Sequence, residues 1–100
     1  MGSYRGRLEI IADILRVVSG SPKKTHIMYG ANLSFKVLQR YLAEVAEASL
    51  ISFDGERRCY VLTAKGREFL EDFAELQKHA EVVEAKKRAL ASSLSMKVMP

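Results

Sequence analysis

Thr25-His26-Ile27-Met28-Tyr29-Gly30-Ala31-Asn32-Leu33-Ser34-Phe35-Lys36-Val37-Leu38-Gln39-Arg40 sets two helical patterns on either side of a tight corner. The first is short, about Thr25 to Ala31, with Ile27 and Met28 facing inward. Gly30-Ala31-Asn32 makes the corner, because Gly and Asn accept the backbone angles of a sharp helix-helix turn. Ser34 suits the N-cap of the second helix. Leu33 before it and Leu38 four residues after it form a hydrophobic staple. Phe35, Leu38, Leu42, Val45 and Ala46 then make a buried stripe, which leaves Lys36, Gln39, Arg40 and Ala43 on the opposite face.

Outward from this corner, Leu8, Ile11, Ile14, Leu15 and Val18 recur at helical spacing and predict an amphipathic helix over Gly6 to Ser19. Gly20 is expected in the left-handed region at its end, with Ser21-Pro22 blocking continuation. On the other side, Leu50-Ile51-Ser52-Phe53 and Arg57-Arg58-Cys59-Tyr60-Val61-Leu62 alternate around Asp54-Gly55-Glu56, which reads as a hairpin. Thr63 caps a final helix that meets no breaker from Lys65 to about Ser95 except Gly66, and Ser95 to Pro100 is expected to fray. Helix, turn, helix and hairpin in this order outline a winged helix-turn-helix. The fold class is α+β, mostly α, with residues 1–66 as the docking module and 67–100 as a coiled-coil helix and tail.

In the final helix Phe69, Phe73, Leu76, Ala80, Val83, Lys87, Leu90 and Leu94 alternate in steps of four and three, a heptad seam. A domain this small cannot cover such a stripe, so a partner must. Glu68, Glu71, Asp72 and Glu75 crowd one end and Lys86, Lys87 and Arg88 the other, which favours an antiparallel homodimer. Full overlap sets Phe73 near Leu90 and Phe69 near Leu94 of the second copy, with a one-heptad slip as the alternative register.

The charge is uneven. Residues 1–66 carry ten Lys/Arg against six Asp/Glu, whereas residues 67–100 carry six of each, so the whole net charge of +4 lies on the module. A positive field confined there suggests a polyanion. Lys36, Gln39 and Arg40 are placed to meet base edges or phosphates in a major groove, with Ser34 at the same helix entry. A solvated helix face has the same appearance. Arg57-Arg58 suits a wing on phosphates, with alternation pointing one arginine to each face. Lys23-Lys24 and His26 lie at the mouth of the short helix, and Arg5 and Arg7 form a possible basic arm.

Other classes find little support. One cysteine, Cys59, excludes an intrachain disulfide, and with His26 and His79 it falls short of a structural zinc set. No Ser-His-Asp, Cys-His or paired-carboxylate arrangement and no phosphate loop is recoverable, so neither catalysis nor a cofactor or small-molecule substrate is expected. Met28, Tyr29 and Tyr41 read as core or core-edge residues. No apolar run approaches the roughly 20 residues of a membrane span, and no signal peptide precedes the first helix. The expected setting is cytoplasmic and chromosome-associated.

The string Ser21-Pro22-Lys23-Lys24-Thr25-His26-Ile27-Met28-Tyr29-Gly30-Ala31-Asn32-Leu33-Ser34 closely resembles the crenarchaeal 10a-type chromosomal DNA-binding proteins. So do Arg40-Tyr41, Tyr60-Val61-Leu62-Thr63-Ala64-Lys65-Gly66 and the long last helix, although the Leu-Thr-x-Lys-Gly piece is shared by many winged helices. The resemblance implies a winged-helix homodimer joined by an antiparallel coiled coil, abundant in archaeal cells and binding double-stranded DNA with little sequence preference. One departure is Ser49, where winged helices often have Gly. The reading is thus an architectural DNA-binding protein. A sequence-specific transcription regulator and a protein-interaction winged helix that never touches DNA are its rivals.

Overall fold

The computed structural model describes residues 5–20 and 23–98, the last four through their backbone alone. In chain order the elements are α1 (Arg7–Val18), α2 (Lys24–Gly30), α3 (Phe35–Glu47), β1 (Ile51–Asp54), β2 (Cys59–Leu62) and α4 (Ala64–Val98). The fold is α+β and mostly helical, a winged helix-turn-helix continued by one long helix. At 1.5 Å per residue the 35 residues of α4 make a rod of roughly 50 Å, which accounts for the molecule's 69 Å length.

Ile14, Leu15, Val18, Ile27, Leu38 and Val45 are fully buried and form the centre of a core shared by α1, α2 and α3. Leu50, Ile51 and Leu62 close it from the hairpin side. Each such side chain removed from water contributes about 1.5–3 kcal/mol. Gly6 and Ser19 prove to be the caps of α1, with the Glu9 carboxylate accepting from Gly6 N–H at 2.6 Å. Gly20 is not left-handed; no described glycine has positive φ. The helix closes instead through Gly20 N–H donating to the Val17 carbonyl at 3.1 Å. Ser21-Pro22 lies outside the described residues.

The stripe of α3 is rotated from its expected position. Leu38, Tyr41, Leu42 and Val45 are the buried residues. Phe35 is 54% exposed and Ala46 is also exposed. At 100° per residue, Phe35 and Ala46 stand about 70° and 90° to one side of the stripe's centre, while Tyr41 stands about 50° to the other. The buried stripe therefore extends to the Tyr41 flank and not to the Phe35 flank. Tyr29 is likewise no core residue, being 77% exposed.

Among the described residues three non-glycines adopt left-handed φ, Asn32 (55°), Ser49 (65°) and Arg58 (56°), each in a connection between two elements. Asn32 lies in the α2–α3 corner and Ser49 between α3 and β1. Arg58 closes a hairpin loop longer than expected. β1 and β2 pair antiparallel with Asp54 opposite Cys59, so Arg57 and Arg58 belong to the loop and not to the strand. Asp54 organises that loop: its Oδ1 accepts from Glu56 and Arg57 N–H (3.0 and 3.2 Å), and its carbonyl accepts from Arg58 N–H at 2.7 Å.

Thr63, Lys65 and Gly66 join α4 to the module. Thr63 Oγ1 caps the helix by accepting from Gly66 N–H at 3.0 Å, and it donates towards the carbonyls of Ser49 (2.7 Å) and Leu50 (3.0 Å). Lys65 Nζ donates to the Ala48 carbonyl at 2.8 Å, holding the end of α3. α4 runs past Ser95, where fraying was expected to begin, to Val98, while Met99 and Pro100 lie outside the described residues.

Candidate nucleic-acid interface

The α3 face opposite the core carries Lys36, Gln39, Arg40 and Ala43, all exposed as its periodicity predicts. Ser34 caps α3, its Oγ accepting from Val37 N–H at 3.3 Å. That hydroxyl is therefore occupied within the helix, which gives Ser34 a structural role alongside any outward one. The Arg40 guanidinium lies 5.4 Å from the centroid of the Tyr41 ring, which steadies its stem beside the core edge.

Lys23 is the exposed N-cap of α2 and Lys24 its first residue, with His26 exposed two residues on. Lys24 Nζ sits 4.7 Å from the centroid of the Phe35 ring, so the start of α2 reaches the start of α3. This contact brings Lys24 together with the Lys36 end of the α3 face. It also gives Phe35 a task that hydrophobic periodicity concealed, as an exposed aromatic platform under a cation. Its position one residue after the cap, off the stripe centre, was the available signal.

Arg57 and Arg58 are exposed in the hairpin loop. Behind them Phe53 and Tyr60 pack edge to face at 5.1 Å and stiffen the wing. Arg5 and Arg7 do not project as an arm: Arg7 pairs with Glu44 of α3, and Arg5 turns inward onto Asp13. Glu47, to which the sequence reading gave no place, is exposed at the far end of the Lys36 face. Positive charge on that face is thus confined to its first two turns.

Cys59 is buried beneath the hairpin, and His26 and His79 are exposed on separate helices. Among the described residues no three His, Cys, Asp or Glu side chains are grouped to hold a metal ion. None of the described helices is long and apolar enough to cross a membrane.

On α4 the expected seam divides in two. Phe73 is only 7% exposed and Phe69 half-buried, both packed on their own chain. Leu76, Val83, Leu90 and Leu94 are all more than half exposed, and Ala80 and Lys87 lie exposed between them. Val82, absent from the heptad reading, is exposed beside Val83.

A family described as winged helix-turn-helix matches residues 4–81. The chain belongs to that family. Among relatives of this winged helix, an uncharacterized protein of Methanocaldococcus jannaschii is 38% identical over 74 residues. The match covers 72% of this chain and 34% of that protein, so the chain spans about a third of the relative's length. Among solved structures, Sso10a-2, described as a DNA-binding protein from Sulfolobus solfataricus, superposes with a TM-score of 0.81 at 28% identity. That likeness covers 90% of this winged helix and 97% of Sso10a-2, and it bears out the 10a-type resemblance carried by residues 21–34 and the long last helix.

Proposed function

We propose that the protein binds double-stranded DNA as a homodimer, with little sequence preference, and organises DNA by holding two docking heads on one rod. The observation that carries the reading is the exposed α3 face of Lys36, Gln39 and Arg40 beside Lys24, within a winged helix whose neighbour Sso10a-2 is described as DNA-binding. α3 would enter the major groove, and Arg57 and Arg58 would rest on phosphates from the wing. Lys23 and His26 flank the same entry. Low selectivity is supported by the small number of base-reading side chains on that face, since Ala43 offers none and Glu47 repels phosphate.

The dimer is supported by the uncovered stripe of Leu76, Val83, Leu90 and Leu94. A shallow groove lined by Leu8, Phe69, Phe73 and Leu76 continues this stripe onto α1. Exposed Glu68, Glu71, Asp72 and Glu75 at the root of α4 face, in an antiparallel pair, Lys86, Lys87 and Arg88 of the second copy. The second copy's Leu90 and Leu94 would then lie along the Phe73–Phe69 end. A parallel pair would stack like charges. Heads separated by the Phe69–Leu94 part of the rod, roughly 40 Å long at 1.5 Å per residue and more than the 34 Å of a DNA turn, reach distant segments or two duplexes.

Titration of several unrelated duplexes at increasing salt, with mass by light scattering, tests the reading. Expected are twice the 11.2 kDa chain mass, similar affinities across duplexes, and steep weakening with salt as counterions are released. A preference of about 10³-fold for one site would favour a regulator. Weak binding without salt dependence would favour a protein-interaction module.

A further inference from the structure

Arg5 precedes α1 by two residues, yet its guanidinium reaches across to the α2–α3 corner. Its Nη1 donates to Asp13 Oδ2 at 2.7 Å and to the Ala31 carbonyl at 2.8 Å, and its Nη2 donates to the Asn32 carbonyl at 2.8 Å. Neither carbonyl accepts a backbone hydrogen bond among the described residues. They lie at the C-terminal end of α2, where peptide dipoles leave partial negative charge. α2 has no basic residue of its own in its last turn, so Arg5 supplies the cation from 26 residues away in sequence.

Asn32 is the left-handed residue of the corner, with a φ of 55°. Holding its carbonyl and that of Ala31 together fixes the geometry with which the chain turns into α3. Asp13, the anchor on α1, is in turn held by Arg16 Nη1 at 2.9 Å, and Arg16 lies 5.8 Å over the ring of Phe73 in α4. The corner is thereby tied to α1 and, through Arg16, to the root of the rod.

We propose that Arg5 is a positioning residue for DNA binding: it sets the entry angle of α3 and does not itself touch DNA. The inference rests on the DNA-binding reading. A guanidinium is required because its planar fork carries five N–H donors and reaches acceptors on two elements at once. A lysine ammonium is a point charge with three donors on a flexible stem.

The test compares full-length wild type, Arg5→Ala, Arg5→Lys and Asp13→Asn on one duplex, well below each variant's melting temperature, across a salt series. Circular dichroism confirms that each is folded. Arg5→Ala should bind on the order of tenfold more weakly, equivalent to about 1.4 kcal/mol. The slope of log affinity against log salt should stay unchanged, because the same phosphates remain neutralised. Arg5→Lys should fail to restore affinity although it keeps the charge. Asp13→Asn, which preserves shape but weakens the anchor, should lose affinity in the same direction and stands in if Arg5→Ala does not fold.

A slope reduced by about 0.9 in Arg5→Ala would make Arg5 a phosphate ligand and overturn the inference. Rescue by Arg5→Lys, or a lowered melting temperature with unchanged affinity, would overturn it too. Wild-type protein that binds no duplex sinks the DNA reading and this inference together, whereas equal binding by wild type and Arg5→Ala overturns the inference alone.

Discussion

Gly66 passes so close to Leu50 that a Cβ on the glycine would stand 2.2 Å from the Leu50 carbonyl oxygen and 2.6 Å from Leu62 Cδ1. The obstacle is backbone, which cannot swing aside as a side chain could. Gly66→Ala should therefore push α4 off the hairpin and cost about 1–3 kcal/mol, as overpacking does. Thermal unfolding measures this, and an unchanged melting temperature would show that the joint has slack.

Ser49 makes the opposite prediction. Its φ of 65° strains any residue with a Cβ, and the group it supplies to Thr63 is its backbone carbonyl, which glycine retains. Ser49→Gly should stabilise the protein by about 0.5–1 kcal/mol, the relief of left-handed strain exceeding the entropy glycine adds to the unfolded chain.

Val83 and Phe73 should separate assembly from folding. Val83 is exposed, so Val83→Asp should give folded monomers with an unchanged helical spectrum; a dimer persisting at micromolar concentration would remove Val83 from the seam. Phe73 is buried on its own chain and carries the Arg16 contact. Phe73→Ala should lose about 3 kcal/mol of stability, which makes it a poor probe of dimerisation.

Arg40 and Glu47 share a face and should act with opposite sign. Arg40→Ala is expected to weaken DNA binding while leaving the dimer intact, with the salt slope falling by about 0.9 for each phosphate no longer neutralised. Glu47→Gln should strengthen binding, chiefly at low salt, where its repulsion of phosphate is least screened. No change in either variant would take α3 out of the interface.

Arg58 couples a strained backbone to an exposed charge. Arg58→Gly should raise the melting temperature by relieving the φ of 56° and lower DNA affinity by removing a wing cation. Two readouts moving together in the same direction would contradict the wing assignment.

Much of this was legible because local chemistry and packing agreed. The Ser34 cap, the Thr63 cap, the hairpin and the uninterrupted last helix each follow from signals a few residues long. Departures arose where tertiary contacts chose among equivalent local options. α3 offers Phe35 and Tyr41 on opposite flanks of one stripe, and periodicity alone could not say which flank the core would take. The hairpin loop could close after Glu56 or after Arg58, and Asp54 Oδ1 settled it by holding two amides. Arg5 was read as free charge because its partners, Asp13, Ala31 and Asn32, lie 8 to 27 residues away. At the root of the seam a heptad says which residues are apolar, not how much of Phe69 and Phe73 their own chain already covers.

α4 leaves the module through a capped, glycine-tight joint and continues without a break, so head and rod share one rigid frame. In the proposed antiparallel pair, separation and rotational phase of the two heads become properties of the same helix. Removing one heptad from each arm would bring the heads about 10 Å closer, near a third of a DNA turn, and would present them to a different side of the double helix. The length of α4, counted in residues, then acts as a gauge for the spacing and phase at which two stretches of DNA are held.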